Sequence, residues 1–195
     1  MTMSKTRLEA FSDGVLAIII TIMVLELRIP EGATLEALRP VVPAFISYVL
    51  SFVFLGIYWS NHHHLIQAVQ HVNGRILWAN LHLMFWLSLT PATTAWIGET
   101  HFATLPVAVY GIVLLMAAVA YLILTLSLLA EHGRDSLIAN ALGRDFKGKI
   151  SVVFYVVGIL LAYWIPVLSV AIYASVAIMW LVPDRRIERT LRQQG

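Results

Sequence analysis

The chain has 195 residues, of which 59% are hydrophobic and 12% charged, with a formal net charge of +2 and a mean hydropathy of +0.82. Soluble domains carry about 25% charged residues, so this chain cannot cover a water-exposed surface, and lipid is the implied solvent. The small net charge, with basic residues beside apolar runs, excludes a nucleic-acid surface; the lack of cysteine excludes disulfides, thiolate metal sites and thiol nucleophiles.

About 20 apolar residues cross a bilayer as a helix, and six segments qualify. The first runs over 8–29 and stops at Pro30; the second covers 41–61; the third covers 75–96, with Pro91 near its end. The fourth, 102–130, is the longest. The fifth and sixth, 146–165 and 167–182, are divided by Pro166 and a turn near Ser169. Read as one helix, the stretch from Phe146 to Val182 would be about 55 Å long, against an apolar bilayer thickness of about 30 Å. Two helices fit. The expectation is an all-α membrane protein, with residues 1–195 forming a single six-helix transmembrane domain. Met1–Glu9 is polar and lacks the order of a signal peptide.

Charge orients these spans. With six of them, Arg28 and Arg39 lie on one side, and Lys5, Arg7, Arg75, Arg134, Arg144, Lys147, Lys149, Arg185, Arg186, Arg189 and Arg192 lie on the other. Cytoplasmic segments are enriched in Lys and Arg, so both termini are expected in the cytoplasm of a cell-membrane protein. Five spans would send the arginine-rich tail outside. Tyr58, Trp59, Trp78, Trp96, Trp164 and Trp180 fall near predicted helix ends, where amphipathic rings favour the interface.

The first span carries most of the information. Gly14–Leu25 is free of charge but only about 18 Å long as a helix, so Asp13, Glu26 or both sit at or inside the membrane boundary, where ionisable groups are paired or functional. At 100° per residue, Ile18, Ile22 and Leu25 share one stripe, with Gly14 and Thr21 on the same side, and Asp13 points about 140° from Ile18. Periodicity alone leaves that stripe facing lipid or another helix.

The run Asn61-His62-His63-His64 invites a metal reading, but adjacent helical side chains diverge by about 100° and cannot converge on one ion. His64, His71 and His82 lack companions at ligand spacing, so no metal or cofactor is expected. His62 and His64 read as interfacial, and His82 as an interhelical hydrogen-bonding group. Neither a GxSxG elbow, a Walker loop nor paired intramembrane aspartates are present, so the chain reads as a non-enzyme. A proton- or cation-coupled secondary transporter is the competing class. Its usual inverted repeats are not visible, though Pro91 and Pro166 could break helices.

Arg7, Phe11, Ser12 and Asp13 form an RxxxFSD pattern that fixes four positions in seven at the opening of the first span. It resembles the signature of the transmembrane protein 175 family of endosomal and bacterial potassium channels. Trp59 and His63 stand in the family's WxxxH spacing, and Asn80 and Pro91 also look similar. The resemblance covers effectively the whole chain. It implies a homotetramer whose first helices line a central pore, and potassium-favouring cation conduction without a TVGYG filter. Sodium and protons are further candidate permeants. By the same resemblance Ile18, Ile22 and Leu25 form an apolar constriction and Thr21 contributes to selectivity. Arg7, Phe11, Ser12, Asp13, Trp59 and His63 belong to the motif and to a polar network that holds the first helix.

Overall fold

The computed structural model describes residues 4–69, 71–132 and 146–181, the side chain of Phe146 excepted. Arg134, Arg144, the tail arginines and the last residue of the sixth expected span lie outside the described residues.

Seven α-helices are found among the described residues: α1 (Lys5–Leu25), α2 (Val42–Gln67), α3 (Gly74–Ser88), α4 (Thr90–Glu99), α5 (Thr104–His132), α6 (Phe146–Leu161) and α7 (Pro166–Leu181). A 3-10 turn, Leu35–Val41, leads into α2. Six passes result, because α3 and α4 continue one another across Leu89. Pro91 explains the interruption: it has no N–H for the Leu87 carbonyl, and its ring crowds that carbonyl. The third expected span is therefore two helical segments.

Two further boundaries differ from the hydropathy reading. Helix α2 runs on through the polar Asn61-His62-His63-His64 run to Gln67, so Tyr58 and Trp59 stand more than a turn inside its end. Hydropathy marks where lipid stops, whereas a helix stops where its backbone hydrogen bonds do. Between α6 and α7 the chain turns at 162–164, and Pro166 is the first residue of α7, a position where a missing N–H costs nothing. Ser169, expected near that turn, is buried within α7.

Neighbouring passes run antiparallel. The Lys5 ammonium at the start of α1 donates to the Gln67 carbonyl at the end of α2, at 2.6 Å. Asn73, before α3, donates to Glu131 at the end of α5. Gly111, early in α5, lies against Ile159, late in α6, and the Lys147 ammonium in α6 sits 5.9 Å from the Trp180 ring centre in α7. Lys5 and Leu181 thus fall at the same end of the bundle.

Two apolar clusters fill the interior. One gathers Leu8, Leu16, Ile19 and Met23 of α1 against α2, α3 and the later half of α5. The other joins α2, α4, α5, α6 and α7 around Tyr110, Tyr155 and Tyr173. In this second cluster backbones approach closely. A Cβ on Gly158 would stand 2.4 Å from the Tyr173 ring, and one on Gly111 2.1 Å from the Tyr173 hydroxyl. Small residues at such crossings are how membrane helices associate where burial from water gives no drive.

Candidate functional site

Helix α1 has two unlike faces. Leu8, Ser12, Leu16, Ile19 and Met23, spaced by three and four residues, are buried against α2, α3 and α4. The opposite face, with Phe11, Gly14, Ile18, Thr21, Ile22 and Leu25, has no cover from its own chain. Ile18 is 59%, Ile22 40% and Leu25 82% exposed, whereas Ile19 is 3% exposed. The Thr21 hydroxyl lies 2.9 Å from the Ile18 carbonyl and 3.1 Å from the Ala17 carbonyl, to which it donates. Its proton is therefore turned into the helix, and its oxygen lone pairs remain for whatever lies along the stripe.

A polar anchor seats α1. Ser12 donates to the Leu8 carbonyl at 2.9 Å and accepts from the Asn80 amide at 3.0 Å. The Asn80 oxygen lies 2.7 Å from Nε2 of His62. With the Asn80 amide donating to Ser12, its oxygen accepts, so His62 carries a proton on Nε2. All three side chains are buried. Beside them the Trp59 indole N–H donates to Asp13 at 3.0 Å. Nearer the chain start, the Glu9 carboxylate lies 3.0 Å from Nδ1 of His63, whose Nε2 is 2.8 Å from the Gln67 amide. The Trp59 and His63 rings stack at 6.2 Å.

Several placements differ from the sequence reading. His62, expected at an interface, is the buried member of the run; His63 is half-buried and faces Glu9; His64 is exposed. Three consecutive imidazoles thus take three environments. Asp13 is half-buried, and of the partners expected for it in the polar network it is Trp59 that it meets. Arg7 is exposed and makes no side-chain hydrogen bond or ion pair among the described residues, and Phe11 lies on the uncovered stripe. Sequence reasoning missed Glu9 and the link from Asn80 to Ser12. Ser12 on the Leu8–Leu16 spacing was the available sign, since a small polar residue on a buried face needs a partner. His82 accepts from the Trp86 indole at 2.9 Å within its own helix rather than between helices.

At the opposite end of α1, Arg28 and Glu99 pair at 2.6 Å, both well exposed. They border a cavity of about 500 Å³ lined by Met23, Glu26, Tyr48, Thr94, Gly98 and others. Behind it Ser51 lies 2.6 Å from the Thr94 hydroxyl and 2.8 Å from that of Tyr110, a buried hydroxyl chain tying α2, α4 and α5.

The Asp13 contact gives a direct expectation. A hydrogen bond to a charged group is worth about 1.5–3 kcal/mol, and Asp13→Ala would leave the Trp59 N–H without it. Melting temperatures in detergent should fall further for Asp13→Ala than for Glu31→Ala. Equal values would remove Asp13 from the anchor.

Comparison with known proteins gives the same arrangement a context. The family profile described as "Endosomal/lysosomal potassium channel TMEM175" matches residues 7–91, which hold all but the first two residues of α1, the whole of α2 and α3, and the first residues of α4. A protein of Chryseobacterium sp. (strain P1-3) named a potassium channel is 55% identical over 191 residues, covering 98% of this chain and all of that one. A Gallus gallus protein named an endosomal/lysosomal proton channel is 39% identical over 79 residues, 34% of this chain and 16% of that one. Among solved structures, the crystal structure of a lysosomal potassium-selective channel TMEM175 homolog from Chamaesiphon minutus superposes with a TM-score of 0.76 at 26% identity. That match covers 91% of this chain and 96% of that one. With 55% identity to a relative matched over nearly the full length of both chains, the chain belongs to the TMEM175 family.

Proposed function

We propose that this chain is the subunit of a potassium-favouring cation channel, assembled as a homotetramer in which four α1 helices surround the pore. The observation that carries the reading is the divided face of α1. One side is packed into the subunit; the other presents Ile18, Ile22 and Leu25 uncovered along a single stripe. One stripe cannot enclose an aqueous path, so several copies must supply the wall. Ions then shed water against apolar rings at these three levels, a barrier of the dewetting type. Thr21, with its lone pairs outward, is the polar contact between the Ile18 and Ile22 levels and the proposed contributor to selectivity. Ser12, Asp13, Trp59 and His63 hold α1 at its register through their contacts with Asn80 and Glu9 and with one another. No catalytic step enters this reading.

Purified protein reconstituted in liposomes, with its oligomer counted in detergent, tests the proposal. A tetramer with uncoupled flux in the order potassium above sodium supports it. Saturating flux that requires a counter-ion would identify a coupled transporter instead.

Orientation follows from the basic residues, which gather at the Lys5 end. Cysteine placed at Gly195 should label only from the cytoplasmic side, and cysteine at His101 only from outside. Labelling of Gly195 from outside would overturn the cytoplasmic termini.

A further inference from the structure

A groove of about 390 Å³, to which α1 contributes no lining residue, runs over the seam where α3 packs on α5. It is lined by Arg75, Trp78, Ala79 and His82 from α3 and by Ile123, Leu126 and Ser127 from α5. Its existence follows from the sequence. Ala79 and Ser127 are small and buried where the helices meet, and the Ser127 hydroxyl folds back onto the Ile123 carbonyl at 2.7 Å. Around that shallow floor stand large side chains that the chain leaves open: Trp78 is 73% exposed, and Ile123 and Leu126 are exposed too.

The groove is graded in polarity. Arg75 is the second residue of α3, at the end of the bundle where the basic residues gather, and it is exposed. Trp78 is one turn further along, and His82 about 10 Å from Arg75 along the helix. The Trp86 indole donates to Nε2 of His82, so the neutral imidazole keeps its proton on Nδ1. Ile123 and Leu126 on α5 line the apolar side of the groove. Glu131, the acid at this end of α5, is already engaged by Asn73. Among the described residues, neither the Arg75 guanidinium nor the Trp78 N–H has a hydrogen-bonding partner.

A cation at the interface, an indole one turn deeper and an open apolar wall beneath match a phospholipid read from headgroup to acyl chain. We propose that this groove binds one anionic phospholipid per subunit. Arg75 pairs with the headgroup phosphate, the Trp78 indole sits at glycerol level, and an acyl chain lies along Ile123 and Leu126. Basic sites between helices on the cytoplasmic side hold anionic headgroups in this way, and an Arg fork suits phosphate oxygens. The site is separate from the α1 stripe, so it stands whether or not the pore reading does.

Native mass spectrometry of the full-length protein, released from nanodiscs of mixed phosphatidylglycerol and phosphatidylcholine, reads the site directly. Phosphatidylglycerol should be retained in preference, at one copy per subunit. Arg75→Ala should cut that retention about tenfold, the size of one charge-assisted contact, with Arg75→Lys intermediate and Arg39→Ala, at the other end, unchanged. Inorganic phosphate should not displace the bound lipid, because the acyl chain contributes. Three results would overturn the proposal. The two lipids could be retained equally, Arg75→Ala could leave phosphatidylglycerol in place, or cysteine at Trp78 could cross-link between subunits, making the groove a contact between copies. Arg75 lies on an exposed first turn, so its substitution should leave folding intact; unchanged melting of Arg75→Ala in lipid-free detergent checks this.

Discussion

Replacing Ile18 with asparagine should raise potassium and sodium flux together and shrink the difference between them. In the proposed pore an ion passing Ile18 gives up water against a wall that offers nothing in exchange, and a carboxamide there keeps water in place. A barrier lowered by about 1.4 kcal/mol raises flux about tenfold. The informative comparison is Ile19→Asn, one residue on and about 100° around the helix. Ile19 is buried in the cluster under α1, and a polar group there without partners costs about 1–3 kcal/mol. That variant should assemble poorly and conduct less. A stripe that faces lipid predicts the reverse ranking. Liposome flux normalised to tetramer content decides: if Ile18→Asn assembles normally and leaves both fluxes unchanged, the pore-wall assignment is wrong.

The second large effect is expected at Asn80. Asn80→Leu would strip His62 Nε2 and Ser12 of their shared partner in a fully packed site. Among the described residues His62 Nδ1 is already buried without a partner. The His62 Nε2–H left unsatisfied, at about 1–3 kcal/mol, and the loss of one of the two hydrogen bonds of Ser12 should lower the melting temperature and reduce assembled protein. Adding His62→Leu should recover much of the loss, because removing both members of a buried polar pair is far milder than removing one. A double variant no more stable than Asn80→Leu alone would mean that Asn80 acts through packing, not through His62.

These two sites show how far the sequence could be read. The stripe of Ile18, Ile22 and Leu25 was legible because it depends only on the period of one helix, and the RxxxFSD pattern marked where that helix opens. Partners across helices were not legible in the same way. That His62 rather than His63 is buried depends on the rotation of α2 against α1 and α3, and three adjacent histidines give no clue to it. Glu9 sits between Arg7 and Phe11 in the motif, yet its contact with His63 depends on how closely α1 and α2 approach at one end. Hydropathy placed the six passes well but misjudged their edges. It closed α2 at Asn61 where the helix continues, and it read one span where Pro91 divides α3 from α4. Both errors arise because lipid affinity and backbone hydrogen bonding end at different residues.

From Val15 to Leu25, α1 contains neither glycine nor proline, so it lacks two of the usual causes of a kink. Ile18 and Ile22 branch at Cβ, and in a helix such side chains keep essentially one χ1 rotamer. In the proposed channel this makes the first two rings a bore of fixed calibre, stiff in backbone and side chain alike. Leu25 branches one carbon later, is the most open of the three and stands on the last helical residue before the cap at Glu26. Adjustment of aperture is concentrated there, by rotamer exchange on the picosecond-to-nanosecond scale of exposed side chains. The Leu25 ring would then flicker faster than the interval between successive ions, and its opening would register as an averaged conductance instead of discrete steps.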